Sequence, residues 1–544
     1  MATFIGTNAN ETITATLVSP TVTAIGGITP GAGGDIINAG GGDDILNGDG
    51  GDDQLFGDAG NDRMIWTAGG GTDLFEGGAD EDTAEINGGS GGEAFTVTAN
   101  GARVRFDRLN PDAFSLDIGT TERLVLNMGG GNDVLSTTGN LAALISITVD
   151  GGAGNDVIFG SNGVDRLLGG IGDDFIDGQQ GNDRAFLGDG NDVFQWDPGD
   201  GSDVIEGQTG TDTLLFNGSA GNEIFAASAN GARVLFARNL GNITMDINDV
   251  ERLDLNALGG TDEIIVNSLT ATDLTNINVN LSGTIGGTAG DAAVDTVRVN
   301  GSAAANSLSL STIVNRSNVN VLVAELVDTV TVQALAGNDT IEVGRYLGAI
   351  AINGGTQIDT VTYLQATAGV GVNLINPASN GGAAVGHTYV SIENVSGSTR
   401  NDLLTGNNAA NILNGRAGND TLMGGLGNDV LIGDAGRDTM TGQAGSDIFR
   451  FLNKTHSFGA NTDTITDFDD GGTGDRIDVS ALFGAPMTYR HNLAFTAAGQ
   501  VRVLDVTGPD VIVHVNTGGS LAADFQLRLK ATTLASMAAN DFVL

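Results

Sequence analysis

The chain has 544 residues with a formal net charge of −44, from 67 acidic and 23 basic side chains, and it contains 86 glycines, 7 prolines and no cysteine. Disulfide frameworks and thiolate metal sites are excluded without cysteine, nucleic-acid binding is disfavoured because so negative a field repels phosphate, and scarce proline excludes collagen. Acid-rich disorder is opposed by the 40% hydrophobic content.

The first 25 residues carry neither a basic segment nor an apolar core, so a cleaved secretory signal is not expected there. We predict that residues 1–25 form a degenerate turn that caps the N-terminal end of the fold. No run of 18 apolar residues occurs in the chain, and no membrane span is expected.

A nine-residue period follows this cap and recurs in three arrays. Its unit is G-x-x-G-x-D-x-U-x, where U is apolar, as in residues 424–432. The aspartates of the first array are Asp35, Asp44, Asp53 and Asp62, continued at a spacing of eleven by Asp73. The second array has Asp156, Asp165, Asp174, Asp183 and Asp192, continued by Asp203, and the third has Asp402, Asp420, Asp429, Asp438 and Asp447, with Asn411 in place of one aspartate.

A longer period of 130 residues relates the first two arrays, and it also relates the two tryptophans, Trp66 and Trp196, which we expect in the core or at joints between coils. Residues 26–145 and 146–275 are therefore predicted to be tandem copies of one unit, followed by a degenerate third copy at 276–394. The alternating runs at 93–135, 223–266 and 303–343 predict a parallel β-helix continuous with the arrays. Small β-sandwich inserts are the alternative for these runs.

The nine-residue unit predicts one half-turn of a parallel β-roll. Glycines permit a positive φ in the loop, and x-U-x forms a minimal strand with U pointing inward. Two units complete one coil, so Asp156 should stack on Asp174. Two carboxylates about 5 Å apart repel by roughly 0.8 kcal/mol in water and by more in a less polar medium. An oxygen shell of carboxylates and loop carbonyls suits Ca²⁺ better than Mg²⁺ or a transition metal.

These phased repeats resemble the RTX (repeats-in-toxin) family of hemolysin-type calcium-binding proteins. The resemblance implies that the aspartates named above and the loop glycines bind several Ca²⁺ ions, and that the repeats are disordered without the ion. The implied glycine positions are Gly42, Gly51, Gly60, Gly154, Gly172, Gly181, Gly418, Gly427 and Gly436. Asn411, together with Asp49 and Asp58 at the second glycine position, departs from the pattern.

The last 150 residues are similar to the C-terminal region of serralysin-type secreted metalloproteases. The similarity runs through Ile448–Phe451, Asp463–Phe468 and Asp475–Ser480, and the chain ends in Asp541–Leu544, an acidic residue followed by apolar ones. It implies a β-roll at 395–455, then a cap and type I secretion signal at 456–544. The protease motif H-E-x-x-H is absent, and the four histidines are expected at the surface or as capping residues.

The predicted fold is all-β: an elongated parallel β-solenoid of calcium-binding β-rolls that alternate with β-helix segments and end in the C-terminal cap. The predicted function is that of a secreted, bacterial, calcium-binding structural or matrix protein, not an enzyme, which folds and self-assembles at or near the cell surface, as in a surface layer. Its predicted partners are calcium, the type I secretion machinery, and other copies of itself or cell-surface polysaccharide. The alternatives are a secreted enzyme that acts on acidic polysaccharide and an RTX-type effector or pore former.

Overall fold

A computed structural model describes residues 1–287, 293–301, 307–310, 318–322, 329–343, 348–469, 474–506 and 508–544, with the backbone alone at 307–310, 318–322 and 329. The chain forms two compact units: unit 1 comprises 1–259 and 269–286, and unit 2 comprises 260–268 and 287–544. The predicted third copy at 276–394, and with it the run at 303–343, lies partly outside the described residues. The finer domain boundaries stay predictions.

Short strands make up both units, and the described residues contain 3-10 turns but no α-helix. The strands of unit 1 are β1 (Thr3–Ile5), β2 (Thr12–Ile13), β3 (Thr23–Ile25), β4 (Ile36–Asn38), β5 (Ile45–Leu46), β6 (Gln54–Ala59), β7 (Arg63–Thr67), β8 (Asp73–Ala79), β9 (Thr83–Asn87), β10 (Ala94–Asn100), β11 (Arg103–Asn110), β12 (Phe114–Gly119), β13 (Arg123–Asn127), β14 (Val134–Thr138), β15 (Ser146–Ala153), β16 (Val157–Phe159), β17 (Arg166–Ile171), β18 (Phe175–Asp177), β19 (Arg184–Gly190), β20 (Val193–Trp196), β21 (Val204–Gly210), β22 (Thr213–Asn217), β23 (Ile224–Asn230), β24 (Arg233–Arg238), β25 (Ile243–Asn248), β26 (Arg252–Asn256) and β28 (Asn276–Asn280).

Unit 2 continues with equally short strands. They are β27 (Glu263–Val266), β29 (Thr296–Asn300), β30 (Ser307–Leu310), β31 (Asn318–Leu322), β32 (Thr329–Gln333), β33 (Thr340–Val343), β34 (Ala349–Asn353), β35 (Thr360–Thr362), β36 (Val370–Asn373), β37 (Gly381–Gly382), β38 (Thr388–Val390), β39 (Asn394–Ser396), β40 (Leu403–Thr405), β41 (Ile412–Asn414), β42 (Thr421–Leu426), β43 (Val430–Ile432), β44 (Thr439–Ala444), β45 (Ile448–Arg450), β46 (Asp463–Ile465), β47 (Arg476–Asp478), β48 (Thr488–Tyr489), β49 (Gln500–Asp505), β50 (Val511–Asn516), β51 (Phe525–Leu529) and β52 (Phe542–Val543). The 3-10 turns span Leu240–Asn242, Pro377–Ser379, Gly459–Asn461, Ser480–Leu482 and Ala539–Asp541.

The nonapeptide arrays form parallel β-rolls, as predicted. Strand β16 pairs in parallel with β18, with Ile158 opposite Ile176, and β15 pairs in the same way with β17. In unit 2, Leu413 on β41 lies opposite Leu431 on β43. These apolar residues are fully buried. Each coil therefore contributes one inward side chain per strand, and only stacking of coils closes the core.

Two three-stranded antiparallel meanders interrupt the parallel sheets of unit 1. In the first meander, β11 pairs antiparallel with β10 and β12, while β12 pairs in parallel with β8 and β10 with β14. In the second, β24 pairs antiparallel with β23 and β25, and β25 pairs in parallel with β21. The prediction of parallel coils was therefore wrong for residues 94–119 and 224–248. Tight turns at Gly101 and Gly231, with φ of 67° and 69°, reverse the chain there.

Unit 2 contains the C-terminal roll and the cap. The roll is built from β39, β41, β43 and β45 on one side and from β40, β42 and β44 on the other, each set in parallel register. The cap extends the second set through β46 and β51, and then adds β50 and β49 in antiparallel register. The last strand, β52, pairs with β47, so the final residues are part of the sheet.

Candidate metal centre

The loop aspartates stack in ladders along each roll. The backbone N–H of Asp156 donates to Oδ1 of Asp174 at 2.8 Å, and Asp174 repeats the contact with Asp192 at 2.7 Å. The same contact links Asp35 to Asp53, Asp53 to Asp73, Asp44 to Asp62, Asp165 to Asp183, Asp183 to Asp203, Asp402 to Asp420, Asp420 to Asp438 and Asp429 to Asp447. The predicted stacking of each loop on the second loop after it is confirmed.

The other carboxylate oxygen, Oδ2, has no hydrogen-bond partner in most of these rungs. It is buried and unpartnered in Asp44, Asp53, Asp62, Asp156, Asp174, Asp183, Asp192, Asp420, Asp429, Asp438 and Asp447. A buried oxygen anion without a donor is strongly unfavourable, so a cation is expected beside it. This feature of the structure fits a bound metal ion.

Glycine leaves room for that oxygen. A Cβ placed on Gly424 would overlap Oδ2 of Asp429, and one on Gly433 would overlap Oδ2 of Asp438. Those two glycines are at the first position of the unit. The fourth position is glycine for a different reason, since its φ lies between 109° and 149° at every predicted site, a range that other residues rarely adopt. These positions are Gly42, Gly51, Gly60, Gly154, Gly172, Gly181, Gly418, Gly427 and Gly436.

Burial raises the pKa of many ladder aspartates, among them Asp174, Asp183 and Asp420, and neighbouring carboxylates add to the effect. The pKa of Asp183 rises to about 9, that of Asp420 to about 8 and that of Asp174 to about 7. The backbone N–H bond to Oδ1 opposes these rises without cancelling them. The charged ladder is therefore unfavourable at neutral pH unless a cation compensates it.

An ion in these loops would need ligands other than acidic side chains. Within the described residues, no group of three or more His, Cys, Asp or Glu side chains is placed to hold a metal. Stacked aspartates contribute few carboxylate oxygens to one loop, so loop carbonyls or water would have to complete an oxygen shell. Such a shell favours a hard, loosely coordinated cation such as Ca²⁺.

Comparison with known protein families agrees with this geometry. A family model described as the RTX calcium-binding nonapeptide repeat matches residues 29–64, 148–176, 159–194 and 198–229. A second family model, described as the Peptidase M10 serralysin C terminal, matches residues 381–544. The chain is an RTX repeat protein with a serralysin-type C-terminal region. No curated protein matches it.

Two solved structures that resemble this RTX protein come from one enzyme of Azotobacter vinelandii, a mannuronan C5-epimerase. The AlgE6R3 subunit is 31% identical, with 26% of this chain and 78% of that chain covered and a TM-score of 0.22. The AlgE6R2 subunit is 27% identical, with 26% and 91% covered and a TM-score of 0.19.

Three of the predicted RTX ligands have both carboxylate oxygens hydrogen-bonded. Asp165 accepts from the backbone N–H and hydroxyl of Ser161, and Asp402 accepts from the same groups of Ser398. Asp35 accepts from Ala2 and Gly31. These hydrogen bonds compete with an ion, so we expect these rungs to bind calcium more weakly than the others.

Asn411 satisfies its own amide without a cation. Its Nδ2 donates to the carbonyl of Glu393 and to Oδ1 of Asn407, and its Oδ1 accepts from the backbone of Asn407. An uncharged side chain whose polar atoms are all hydrogen-bonded leaves no buried charge for a metal ion to compensate. The doubt that the sequence raises about this repeat therefore has a structural basis.

The ladders also include aspartates that the sequence did not assign as ligands. Asp82, Asp133, Asp212, Asp359 and Asp463 are buried, each accepts a ladder hydrogen bond or donates one, and each has the same unpartnered Oδ2. Asp133 was missed because Met128 stands at the first glycine position of its loop. Gly129 and Gly131, with φ of 99° and 108°, are the signal that could have identified it.

His387 was expected at the surface or as a capping residue, but it is fully buried. Its Nδ1 lies 2.9 Å from the hydroxyl of Tyr363, which also contacts the hydroxyl of Tyr389 at 2.5 Å. Burial lowers the pKa of His387 to about 4. The group therefore acts as a neutral, hydrogen-bonded part of the core.

Proposed function

We propose that this chain is a secreted calcium-binding structural protein that folds when it meets extracellular calcium. The observation that carries the proposal is the row of buried, unpartnered Oδ2 atoms along the ladders, of which Asp174 and Asp429 are examples. Their charge has no counterpart in the described residues around them. A cation that binds the folded rolls and not the unfolded chain stabilises folding by mass action.

The ladder explains why folding would depend on the ion. Oδ1 of each such aspartate accepts a hydrogen bond from a backbone N–H of the preceding coil, while Oδ2 faces its own glycine loop. Without a cation, closing the loop places one carboxylate above another at the strand spacing, where they repel. With calcium, the same oxygens become ligands, and each bound ion removes two units of negative charge from the chain.

Export by a type I system fits this dependence. The serralysin-type match extends to Leu544, and our proposal requires that cytosolic calcium be too low to close the rolls. The chain would therefore remain open inside the cell and fold outside it. Within the described residues no helix has the length and apolar character needed to cross a membrane.

The way the chain is built supports a structural role. Repeats and their caps occupy most of both units, and each coil presents its strand edges to the next. A second copy could add to an end strand that has an unpaired edge. We therefore propose that the calcium-loaded protein assembles with copies of itself on or near the cell surface.

Folding is tested by far-UV circular dichroism of the full chain in chelator, in CaCl₂ and in MgCl₂ at equal concentration. We expect a coil-like spectrum in chelator, a β spectrum in calcium and little change in magnesium. A β spectrum of full strength in chelator would refute calcium-driven folding. Assembly is tested separately, by light scattering and negative-stain electron microscopy in calcium, and monodisperse monomers would refute self-association alone.

A further inference from the structure

At two positions of the unit 1 ladders, a buried arginine side chain lies beside the acidic residue. Glu93 stands directly before β10, and its backbone N–H donates to Oδ1 of Asp133 at 2.6 Å, as a rung aspartate would. Its Oε1 lies 3.0 Å from Nη2 of Arg108 on β11, and both side chains are buried. The equivalent pair in the second copy, Glu223 and Arg238, is also buried and in contact.

The carboxylates of these two positions differ from those of the rungs in having all their oxygens satisfied. Oε2 of Glu93 accepts from the backbone of Gly89 at 2.7 Å, and Oε2 of Glu223 accepts from Ser219 at 2.6 Å. Neither glutamate has an unpartnered oxygen, whereas Asp133, the next rung after Glu93, has one. The guanidinium thus supplies the positive charge that a metal ion would have to supply at the aspartate rungs.

The arginines are also tied to the meanders themselves. Nε of Arg108 donates to the carbonyl of Asn110 at 3.3 Å, and Nη1 of Arg238 donates to that of Leu240 at 3.2 Å. The guanidinium carbon of Arg238 lies 5.2 Å from the ring centroid of Trp196. Each cation is therefore fixed by groups of its own copy.

Aromatic packing is concentrated at the same places. Phe114 of the first meander stacks on Trp66 with 3.7 Å between centroids and lies 5.9 Å from Phe106. In the second copy, Phe216 stacks on Trp196 at 4.0 Å and lies 4.9 Å from Phe236 of the meander. Rings also pack inside each meander, with 5.7 Å between the centroids of Phe95 and Phe106 and 6.2 Å between those of Phe225 and Phe236. Antiparallel strands joined by short turns bring such rings together from nearby positions in the sequence.

We infer that the two meanders fold without calcium, because Arg108 and Arg238 supply from within the chain the positive charge that the nonapeptide loops take from the ion. Each copy then contains a preformed template, and the rolls add to it as calcium binds. This inference rests on the calcium-driven folding proposed above.

Hydrogen exchange with mass spectrometry on the full chain separates the two proposals. In chelator, we expect amides of 94–119 and 224–248 to exchange at least about tenfold more slowly than those of 36–56 and 157–195, and in calcium we expect all four regions to be protected. Exchange in the meanders as fast as in the rolls would overturn this inference and leave calcium-driven folding intact. Full protection of the rolls in chelator would overturn both.

A substitution then tests the role of the charge. Arg108→Met keeps the aliphatic stem and leaves Glu93 buried without its cation, so 94–119 should lose about tenfold protection in chelator, while 224–248 of the same molecule stays protected. Added calcium should restore the protection, because Glu93 then resembles a rung aspartate. If calcium did not restore the protection, the inference that Arg108 supplies the charge that calcium supplies in the loops would be overturned.

Two further variants control for packing. Arg105→Met removes a half-exposed cation from the same strand, and protection of 94–119 should not change. Glu93→Gln combined with Arg108→Met removes both buried charges, and 94–119 should stay protected in chelator. Loss of protection in that double variant would assign the effect to packing and overturn the inference.

Discussion

The backbone N–H of Asp420 donates to Oδ1 of Asp438 at 2.8 Å, while Oδ2 of Asp438 is buried without a partner. One carboxylate therefore has two separate duties. Oδ1 sets the register between coils, and Oδ2 is available to bind a cation. The two duties can be separated experimentally, because an amide retains the first oxygen and loses the charge.

Asp429→Asn should have opposite effects in chelator and in calcium. The amide oxygen still accepts from the backbone of Asn411, a bond of 2.8 Å in the native chain. Removing a buried charge favours the ion-free fold, so β content in chelator should rise. In calcium the variant should bind about one ion fewer and melt at a lower temperature, as measured by isothermal titration calorimetry and circular dichroism.

Asp112→Asn is the matched control for this prediction. It makes the same change of charge at an exposed turn residue outside the ladders. Calcium stoichiometry and melting should equal those of the native chain in both conditions. Equal behaviour of the two variants would mean that net charge, and not the ladder, governs folding.

Acidification should partly replace calcium. Burial raises the pKa of Asp44 to about 6, of Asp53 to about 7 and of Asp463 to about 8. A group whose pKa is raised on folding stabilises the fold below its unfolded value of about 4, and that contribution is lost as pH rises through the folded pKa. Calcium-free protein should therefore gain β structure as pH falls from 8 to about 5.

The same groups should make calcium binding release protons. At pH 7, the ion displaces protons from those aspartates whose pKa lies near or above 7, so apparent affinity should fall on acidification. Calorimetric titrations in buffers of different ionisation enthalpy measure the number released. A binding enthalpy independent of the buffer would contradict the raised pKa values of the ion-free ladder.

The sequence predicted the rolls well because their register depends on residues with a strict period. A spacing of 18 residues placed Asp156 on Asp174 and Ile158 opposite Ile176, and the structure has both. It could not predict the direction of β11, since alternation of period two is the same in parallel and antiparallel strands. Direction there depends on the turn at Gly101, whose recurrence at Gly231 was visible only as a repeat.

The site was predictable only where the motif was complete. Met128 in place of glycine hid Asp133, although the backbone of that loop keeps its positive φ at Gly129. Conversely, a complete motif did not reveal that Ser161 satisfies Asp165, because hydrogen bonds within the loop depend on the residue at a variable position. Choosing candidate ligands therefore needs the hydrogen bonds of the folded loop as well as the pattern.

Gly424→Ala should weaken calcium binding without imposing a forbidden φ. The φ of Gly424 is not positive, but a Cβ there would overlap Oδ2 of Asp429 and push the carboxylate from its place. We expect at least about tenfold weaker binding at that loop, roughly 1.4 kcal/mol, by calorimetry. Gly484→Ala, where a Cβ meets nothing within 4 Å, is the control and should bind normally.

Asp133→Asn tests whether the ladder, and not the complete nonapeptide, defines a calcium site. Asp133 accepts from Glu93, donates to Asp156 at 2.8 Å and has an unpartnered Oδ2, as assigned ligands do. The variant keeps the acceptor for Glu93 and should bind about one calcium ion fewer than the native chain, as Asp156→Asn should. Equilibrium dialysis with radioactive calcium gives the count for both. An unchanged count for Asp133→Asn beside a reduced one for Asp156→Asn would restrict the sites to complete repeats, because burial and an unpartnered oxygen would then be insufficient to hold the ion.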